Sequence, residues 1–141
     1  MKKPIVLVIC TGNSMRSQLA EGLLRADLGD RIEVCSAGTH PSFVHPLTIQ
    51  ALHAVGIDTS QLRSKSVQEF IERDIDLAIT VCDSAQVNCP VFPYAKKILH
   101  KGYPDPVRIS PGAKPEDVFA DLRDQMRVEL RALVVKELKL D

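Results

Sequence analysis

A cysteine and an arginine six positions apart, Cys10 and Arg16, are the residues of this sequence best suited to chemistry. They lie where an apolar run, residues 6–9, gives way to a short glycine-containing loop and then to a helical pattern. Backbone N–H groups of such a loop and the N-terminus of the next helix supply positive potential, which favours a thiolate. The planar guanidinium of Arg16 suits a tetrahedral oxyanion. The segment therefore predicts a thiolate nucleophile in an oxyanion cradle.

The predicted cradle consists of the seven residues that follow the cysteine: Thr11, Gly12, Asn13, Ser14, Met15, Arg16 and Ser17. Asparagine tolerates the positive φ that a tight anion loop requires, so we expect Asn13 to shape the loop. A further candidate is Asp105, which stands between two prolines. Because flanking prolines stiffen a loop, Asp105 can be held over the anion site as a general acid.

The elements that must position these residues alternate between strand and helix. We predict strands over residues 5–9, 32–37, 76–81 and 97–100, helices over 17–28 and 46–55, a short helix from the Ser66 cap to about Arg73, and a long helix from Pro115. Residues 83–89 read as a polar segment and residues 102–115 as a loop. This pattern predicts an α/β fold with an open four-stranded parallel sheet, order 2-1-3-4, flanked by helices. Such an order brings Cys10, Cys82 and Asp105 to one edge of the sheet.

The composition narrows the class of protein. The 141 residues suit one domain, residues 1–141, and 18 basic residues balance 18 acidic ones. Zero net charge argues against a general nucleic-acid binder or a polybasic membrane anchor. No apolar run approaches the roughly 20 residues of a membrane span, and we read the basic N-terminus as leading into a first strand. We therefore expect a cytoplasmic protein whose cysteines are catalytic or metal-binding.

Residues 10–17, Cys-Thr-Gly-Asn-Ser-Met-Arg-Ser, resemble the phosphate loop of the low-molecular-weight tyrosine phosphatase superfamily. With Cys82 and Cys89-Pro90, the chain more closely resembles the thioredoxin-coupled arsenate reductase branch of that superfamily. The resemblance runs from Val6 through Asp105-Pro106 into the last helix. It implies catalytic roles for Cys10, Cys82, Cys89, Arg16 and Asp105, no bound cofactor or metal, and thioredoxin as the external reductant.

The resemblance also implies a reaction. Cys10 attacks arsenate, Cys82 attacks Cys10 so that arsenite leaves, and Cys89 moves the disulfide to Cys82–Cys89, where thioredoxin can reduce it. Phosphate and sulfate are expected to compete with arsenate. If residues 82–89 were helical, their ends would lie roughly 10 Å apart, whereas a disulfide tolerates at most about 7 Å. We therefore predict a mobile segment that unwinds on oxidation.

Some superfamily members bind potassium near the phosphate loop, and Asn13, Glu21 and Ser36 match residues of that site. The fourth matching position is Lys65, where a carboxylate would be expected. Because a fixed ammonium carries the same charge as the ion, we predict no potassium requirement. Cys35, in the second predicted strand, reads as a small buried hydrophobe, and the four histidines as surface or structural residues.

Two alternatives to the reductase remain. The first is a phosphatase acting on phosphotyrosine or small phosphate esters, for which Cys10 alone suffices. Superfamily phosphatases usually have aromatic residues after the Asp-Pro, whereas Val107-Arg108 follows here. The second alternative is a non-catalytic oxyanion or redox sensor, although no additional effector-binding segment is visible. A zinc site is disfavoured because no Cys-x-x-Cys pair occurs.

Overall fold

A four-stranded parallel sheet forms the centre of the computed structural model, which describes residues 2–108 and 111–140. Its strands are β1 (Ile5–Cys10), β2 (Glu33–Gly38), β3 (Leu77–Thr80) and β4 (Ile98–His100), in the order β2-β1-β3-β4. The predicted fold class and strand order are therefore confirmed. β1 pairs with β2 on one side and β3 on the other, so the strand that ends in Cys10 lies beside the topological switch.

The helices cover this sheet with apolar faces. They are α1 (Arg16–Leu28), α2 (Pro46–His53), α3 (Asp83–Asn88) and α4 (Pro115–Glu137). All six residues of β1 are buried, as expected for a strand covered on both faces. α4 packs against α1 and α2, and its buried side chains recur at helical spacing: Phe119, Leu122, Met126, Leu130 and Val134.

Three predicted elements differ in extent or type. α2 ends at His53, two residues early, because the amides of Val55 and Gly56 bond to carbonyls three residues back and tighten the last turn. The short helix predicted to run to Arg73 is a single 3₁₀ turn, Val67–Glu69. Ser66 Oγ does accept from Gln68 N (3.1 Å), but the Glu69 carboxylate pairs with Arg63 at 2.8 Å.

The polar segment after Cys82 forms α3 in this structure, with Cys82 as its N-cap residue and Cys89 as its C-cap residue. Residues 102–108 and 111–114 contain neither helix nor strand, as predicted, and Ile109 and Ser110 of the predicted loop lie outside the described residues. Among the described residues, no helix is both long enough and apolar enough to cross a membrane.

Candidate active site

The loop between β1 and α1 turns its carbonyl groups toward the body of the protein. Each carbonyl accepts a hydrogen bond from a neighbouring segment: Thr11 O from His40 N, Gly12 O from Ser42 N, Asn13 O from Gln18 Nε2, and Ser14 O from His45 N, at 2.8–3.1 Å. In a trans peptide the N–H points away from the preceding C=O. The carbonyl groups of residues 11–14 are thus held on the side of the neighbouring segments, and an inward-facing row of N–H groups at residues 12–15 stays a prediction.

Asn13 and Ser17 hold the thiol of Cys10. Asn13 has a φ of 47°, in the left-handed region that asparagine tolerates. Its Nδ2 donates to Ser17 Oγ at 2.8 Å, and Ser17 Oγ lies 2.7 Å from Cys10 Sγ. Ser17 Oγ accepts from Asn13 and keeps its own proton, which it can donate to the sulfur when Cys10 acts as a nucleophile.

Gly38, at the end of β2, allows the loop to approach the sheet closely. A Cβ atom at this position would lie 2.5 Å from Thr11 O and 2.9 Å from Asn13 N, both of them backbone atoms. No side chain fits there without moving the loop. The glycine is therefore required by the shape of the cradle.

Arg16 points toward the segment that follows β4. Its Nη1 donates to Tyr103 O at 2.9 Å, and its Nε is buried without a partner among the described residues. An unpaired buried donor of a charged group is costly unless a ligand satisfies it. The guanidinium is thus anchored at Nη1, and its Nε has no partner among the described residues.

Cys82 lies next to the cradle, as the predicted topology requires. Its side chain is buried, and its Sγ lies 3.3 Å from the hydroxyl Oγ1 of Thr11, the residue after Cys10. Cys89 lies at the opposite end of α3 and is half-buried, which raises the pKa of its thiol. All three of these cysteines are free thiols. The structure therefore brings Cys82 to the cradle and holds Cys89 away from Cys82.

Asp105 is engaged in its own turn rather than with the cradle. Its Oδ1 accepts from Val107 N at 3.0 Å, and its Oδ2 lies 3.7 Å from Arg108 Nε. Its side chain borders a surface cavity of about 330 Å³ that also contacts α4. Arg16 reaches Tyr103, two residues before Asp105, and a position of the Asp105 carboxyl over the anion site stays a prediction.

Several residues of the site were missed by sequence reasoning. Gln18 bridges Asn13 O and Arg63 O, and Ser64 Oγ donates to Gly12 O at 3.0 Å. These contacts join residues up to 52 positions apart, for which no local pattern exists. Cys35, predicted to be buried, is only partly so because β2 is an edge strand. Burial nevertheless raises the pKa of its thiol.

A thiol at the end of a strand, a loop held through its carbonyl groups and an arginine lie together at the switch point of a parallel sheet, which defines a thiol protein of the α/β class. The model of the family described as low molecular weight phosphotyrosine protein phosphatase matches residues 5–141. The chain therefore belongs to this family.

Among its relatives, the chain is 38% identical to arsenate reductase 2 of Staphylococcus epidermidis over 132 residues, which cover 94% of this chain and 97% of the relative. A solved structure of an arsenate reductase in the phosphate-binding state superposes with a TM-score of 0.80 at 31% identity, covering 94% of this chain and 98% of the other. A thioredoxin-dependent arsenate reductase of Corynebacterium glutamicum gives 0.67 at 26% identity, covering 95% of this chain and 63% of the other.

Proposed function

We propose that this protein reduces arsenate to arsenite, in arsenic detoxification, and that thioredoxin returns it to the reduced state. The observation that carries the proposal is the 3.3 Å contact between Thr11 Oγ1 and Cys82 Sγ, which places a second thiol against the cradle of the first. A phosphatase has no use for this second thiol, because water completes its reaction. The similarity to arsenate reductases along nearly the whole chain supports the same reaction.

In the first step the Cys10 thiolate attacks the arsenic of arsenate. A sulfur–arsenic bond forms, and one arsenate oxygen leaves as water after accepting protons. The amides of residues 12–15 and the Arg16 guanidinium hold the remaining oxygens. Asp105 is the proposed proton donor, and the amide of Val107 holds one of its two carboxyl oxygens.

In the second step Cys82 attacks the sulfur of Cys10. A Cys10–Cys82 disulfide forms, and the electron pair of the sulfur–arsenic bond passes to arsenic, which leaves as arsenite. The two thiols thereby supply the two electrons of the reduction. The short path from Thr11 to Cys82 supports this attack without a large movement of β1 or β3.

In the third step Cys89 attacks Cys82, which releases Cys10 as a thiolate and moves the disulfide to Cys82–Cys89. Thioredoxin then reduces this disulfide by thiol–disulfide exchange and is itself oxidised. The reaction cycle is suited to the cytosol, where thioredoxin is kept reduced. The C. glutamicum enzyme whose structure resembles this chain is also thioredoxin-dependent.

The proposal is tested by arsenate-dependent NADPH oxidation in the presence of thioredoxin and thioredoxin reductase. We expect Cys10→Ser, Cys82→Ser and Cys89→Ser to abolish turnover. Cys35→Ser is the matched control, because Cys35 is a free thiol on the far edge strand, and it should retain full activity. Full arsenate turnover by Cys82→Ser and Cys89→Ser would refute the relay.

The alternative function is hydrolysis of phosphate esters, since the cradle and Cys10 suit phosphate as well as arsenate. Hydrolysis of p-nitrophenyl phosphate separates the two. We expect weak hydrolysis that survives Cys82→Ser and Cys89→Ser but not Cys10→Ser. A protein that hydrolyses the ester rapidly and does not reduce arsenate would be a phosphatase.

A further inference from the structure

The imidazole of His100, at the end of β4, joins the end of β3 to the start of α3. Its Nδ1 lies 2.8 Å from Thr80 Oγ1, and its Nε2 lies 3.0 Å from Asp83 Oδ1. An ionised carboxylate only accepts hydrogen bonds, so Nε2 donates to Asp83. Nδ1 and the Thr80 hydroxyl share the second hydrogen bond, and Thr80 Oγ1 also lies 3.4 Å from Leu99 O. The His100 side chain is 24% exposed and the Asp83 side chain is 91% exposed, so the two hydrogen bonds, and not burial of the pair, orient the imidazole.

The helix that His100 contacts has little stability of its own. α3 has six residues, fewer than an isolated helix needs in water. Ala85 is its buried residue, whereas the Val87 side chain points to solvent with 80% exposure. Asn88, at its far end, donates to Ser84 within the helix itself. The bond from Asp83 to His100 therefore attaches the helix to the sheet next to Cys82.

Gly102 packs against the hydrogen bond between His100 and Asp83. A Cβ atom there would lie 3.0 Å from His100 Nε2 and 3.1 Å from Asp83 Oδ1, the two atoms that form the bond. The backbone on either side is fixed, because Lys101 N donates to Thr80 O and Tyr103 N donates to Val81 O. A methyl group at Gly102 would consequently press on the histidine–aspartate bond and not on the rest of the fold.

We propose that Thr80, His100 and Asp83 form a latch that keeps α3 folded in the reduced protein and thereby sets the equilibrium of the Cys82–Cys89 disulfide. The inference rests on the proposed function, in which that disulfide forms. Seven helical steps separate the two Cα atoms by roughly 10 Å, and a disulfide requires about 7 Å or less, so α3 must open. The latch takes no electrons or protons from the reaction. It stabilises the dithiol state, and His100 is a positioning residue.

The latch makes the disulfide easier to reduce. Any contact present in the helical dithiol and lost in the disulfide shifts the exchange equilibrium with thioredoxin toward the dithiol. Removal of the latch should therefore leave more of the protein oxidised at a given ratio of reduced to oxidised thioredoxin. The same change should speed closure of the disulfide, because less structure must be broken first.

The test uses the full-length Cys10→Ser protein, in which Cys82 and Cys89 are the dithiol of interest, equilibrated with thioredoxin at fixed ratios of its two forms. We expect His100→Ala and Gly102→Ala each to shift the equilibrium toward the disulfide about fivefold, equivalent to about 20 mV more negative. His53→Ala is the matched control, since His53 also bonds a threonine hydroxyl, Thr59, at 2.8 Å. It should leave the equilibrium unchanged.

The outcomes separate the latch from the function on which it rests. If no Cys82–Cys89 disulfide forms in the parent protein, the proposed relay fails. If the disulfide forms but its equilibrium is the same in the parent, His100→Ala and Gly102→Ala, the latch is refuted. Should His100→Ala not fold, Gly102→Ala decides the matter, because it removes no polar group.

Discussion

Behind the oxyanion cradle, the ammonium group of Lys65 is built into a buried polar network. Lys65 Nζ lies 3.3 Å from Glu21 Oε1, with side-chain exposures of 8% and 3%, and it also donates to Arg63 O at 2.7 Å. Ser36 donates to the same Glu21 oxygen at 2.6 Å, and the backbone N–H of Lys65 donates to Asn13 Oδ1. The network connects a fixed positive charge to the residue that shapes the loop.

This geometry supports the prediction that potassium is not required. We expect the melting temperature and the arsenate turnover to be equal in potassium and sodium chloride at the same ionic strength. Lys65→Met should destabilise the protein by roughly 2 kcal/mol, because the buried Glu21 carboxylate loses one of its two cationic partners and keeps Arg25 at 2.9 Å. Thermal unfolding measures the effect of the cation on the melting temperature and the effect of Lys65→Met on stability, and the thioredoxin-coupled assay measures arsenate turnover. Lys96→Met, at an ion pair whose lysine side chain is 77% exposed, is the control and should cost little. A clear gain with potassium over sodium would contradict the prediction.

The half-buried thiol of Cys89 should control how the third step depends on pH. Burial raises its pKa, so the fold favours the protonated thiol. This contribution to stability is present below the ordinary thiol pKa of about 8.5 and is lost as pH rises through the folded value. Because the thiolate is the nucleophile, closure of the Cys82–Cys89 disulfide should still accelerate above about pH 8.5. Rapid acid quenching with mass spectrometry measures the rate, and a plateau below that pH would be the contrary result.

Among the elements, α3 is the one expected to change during turnover. We predict that hydrogen-exchange protection of residues 83–88 differs between the reduced and oxidised forms, and that the amides of residues 86–88, which can bond one turn back in the helix, lose protection when Cys82 and Cys89 are joined. The reason is that the helical separation of the two residues, roughly 10 Å, is incompatible with a disulfide. Hydrogen-exchange mass spectrometry on reduced and oxidised Cys10→Ser protein measures the change. The amides of α1 are the internal reference, and equal protection of α3 in the two states would disprove the unwinding.

The sheet and the long helices could be predicted because burial imposes a pattern on their residues. β1 is apolar throughout and covered on both faces, and α4 repeats its buried residues at helical spacing. α3 has no such pattern, since Ala85 is the residue that it buries. Its fold depends instead on contacts with β1 and β3 and on the bond from Asp83 to His100. No local signal in residues 83–88 encodes those contacts.

Only the part of the site that lies within one segment of the chain could be predicted from the sequence. Cys10, Asn13, Arg16 and Ser17 occupy one segment, and their spacing next to a strand and a helix indicates an oxyanion cradle. The donors that orient the loop come from residues 40–45 and from the chain near Ser64. Their positions depend on how β2 pairs with β1, so sequence spacing alone does not indicate them. The same holds for Asp105, whose turn directs its carboxylate to Val107 N.

At the scale of the whole molecule, the cradle should couple anion binding to global stability. Phosphate, sulfate and arsenate should each raise the melting temperature of the reduced protein, because a ligand that binds only the folded state stabilises it. At 100 times the dissociation constant the gain is roughly 2.7 kcal/mol. Differential scanning fluorimetry with chloride at equal ionic strength as the reference measures this effect.

Two arginine variants test whether the anions stabilise the protein by binding at the cradle. Arg16→Ala should abolish it, since Arg16 has a buried donor without a partner among the described residues. Arg63→Ala should retain it, because Arg63 pairs with Glu69 and has a side chain that is 63% exposed. Stabilisation that persists in Arg16→Ala would show that the anions act elsewhere on the molecule.

The central place of β1 in the sheet also has a consequence for biosynthesis. β1 precedes the other three strands in the chain, and its two neighbours in the sheet are β2 and β3. Both edges of β1 therefore remain unpaired until those later strands have been translated. Thr11 contacts Cys82, 71 positions further along the chain, and Arg16 contacts Tyr103, 87 positions further along. Parallel sheets with such distant partners fold slowly and expose apolar edges meanwhile. We therefore expect a ribosome-bound chain to expose the apolar edges of β1 until β3 has emerged, and to form the contact between Arg16 and Tyr103 only after that.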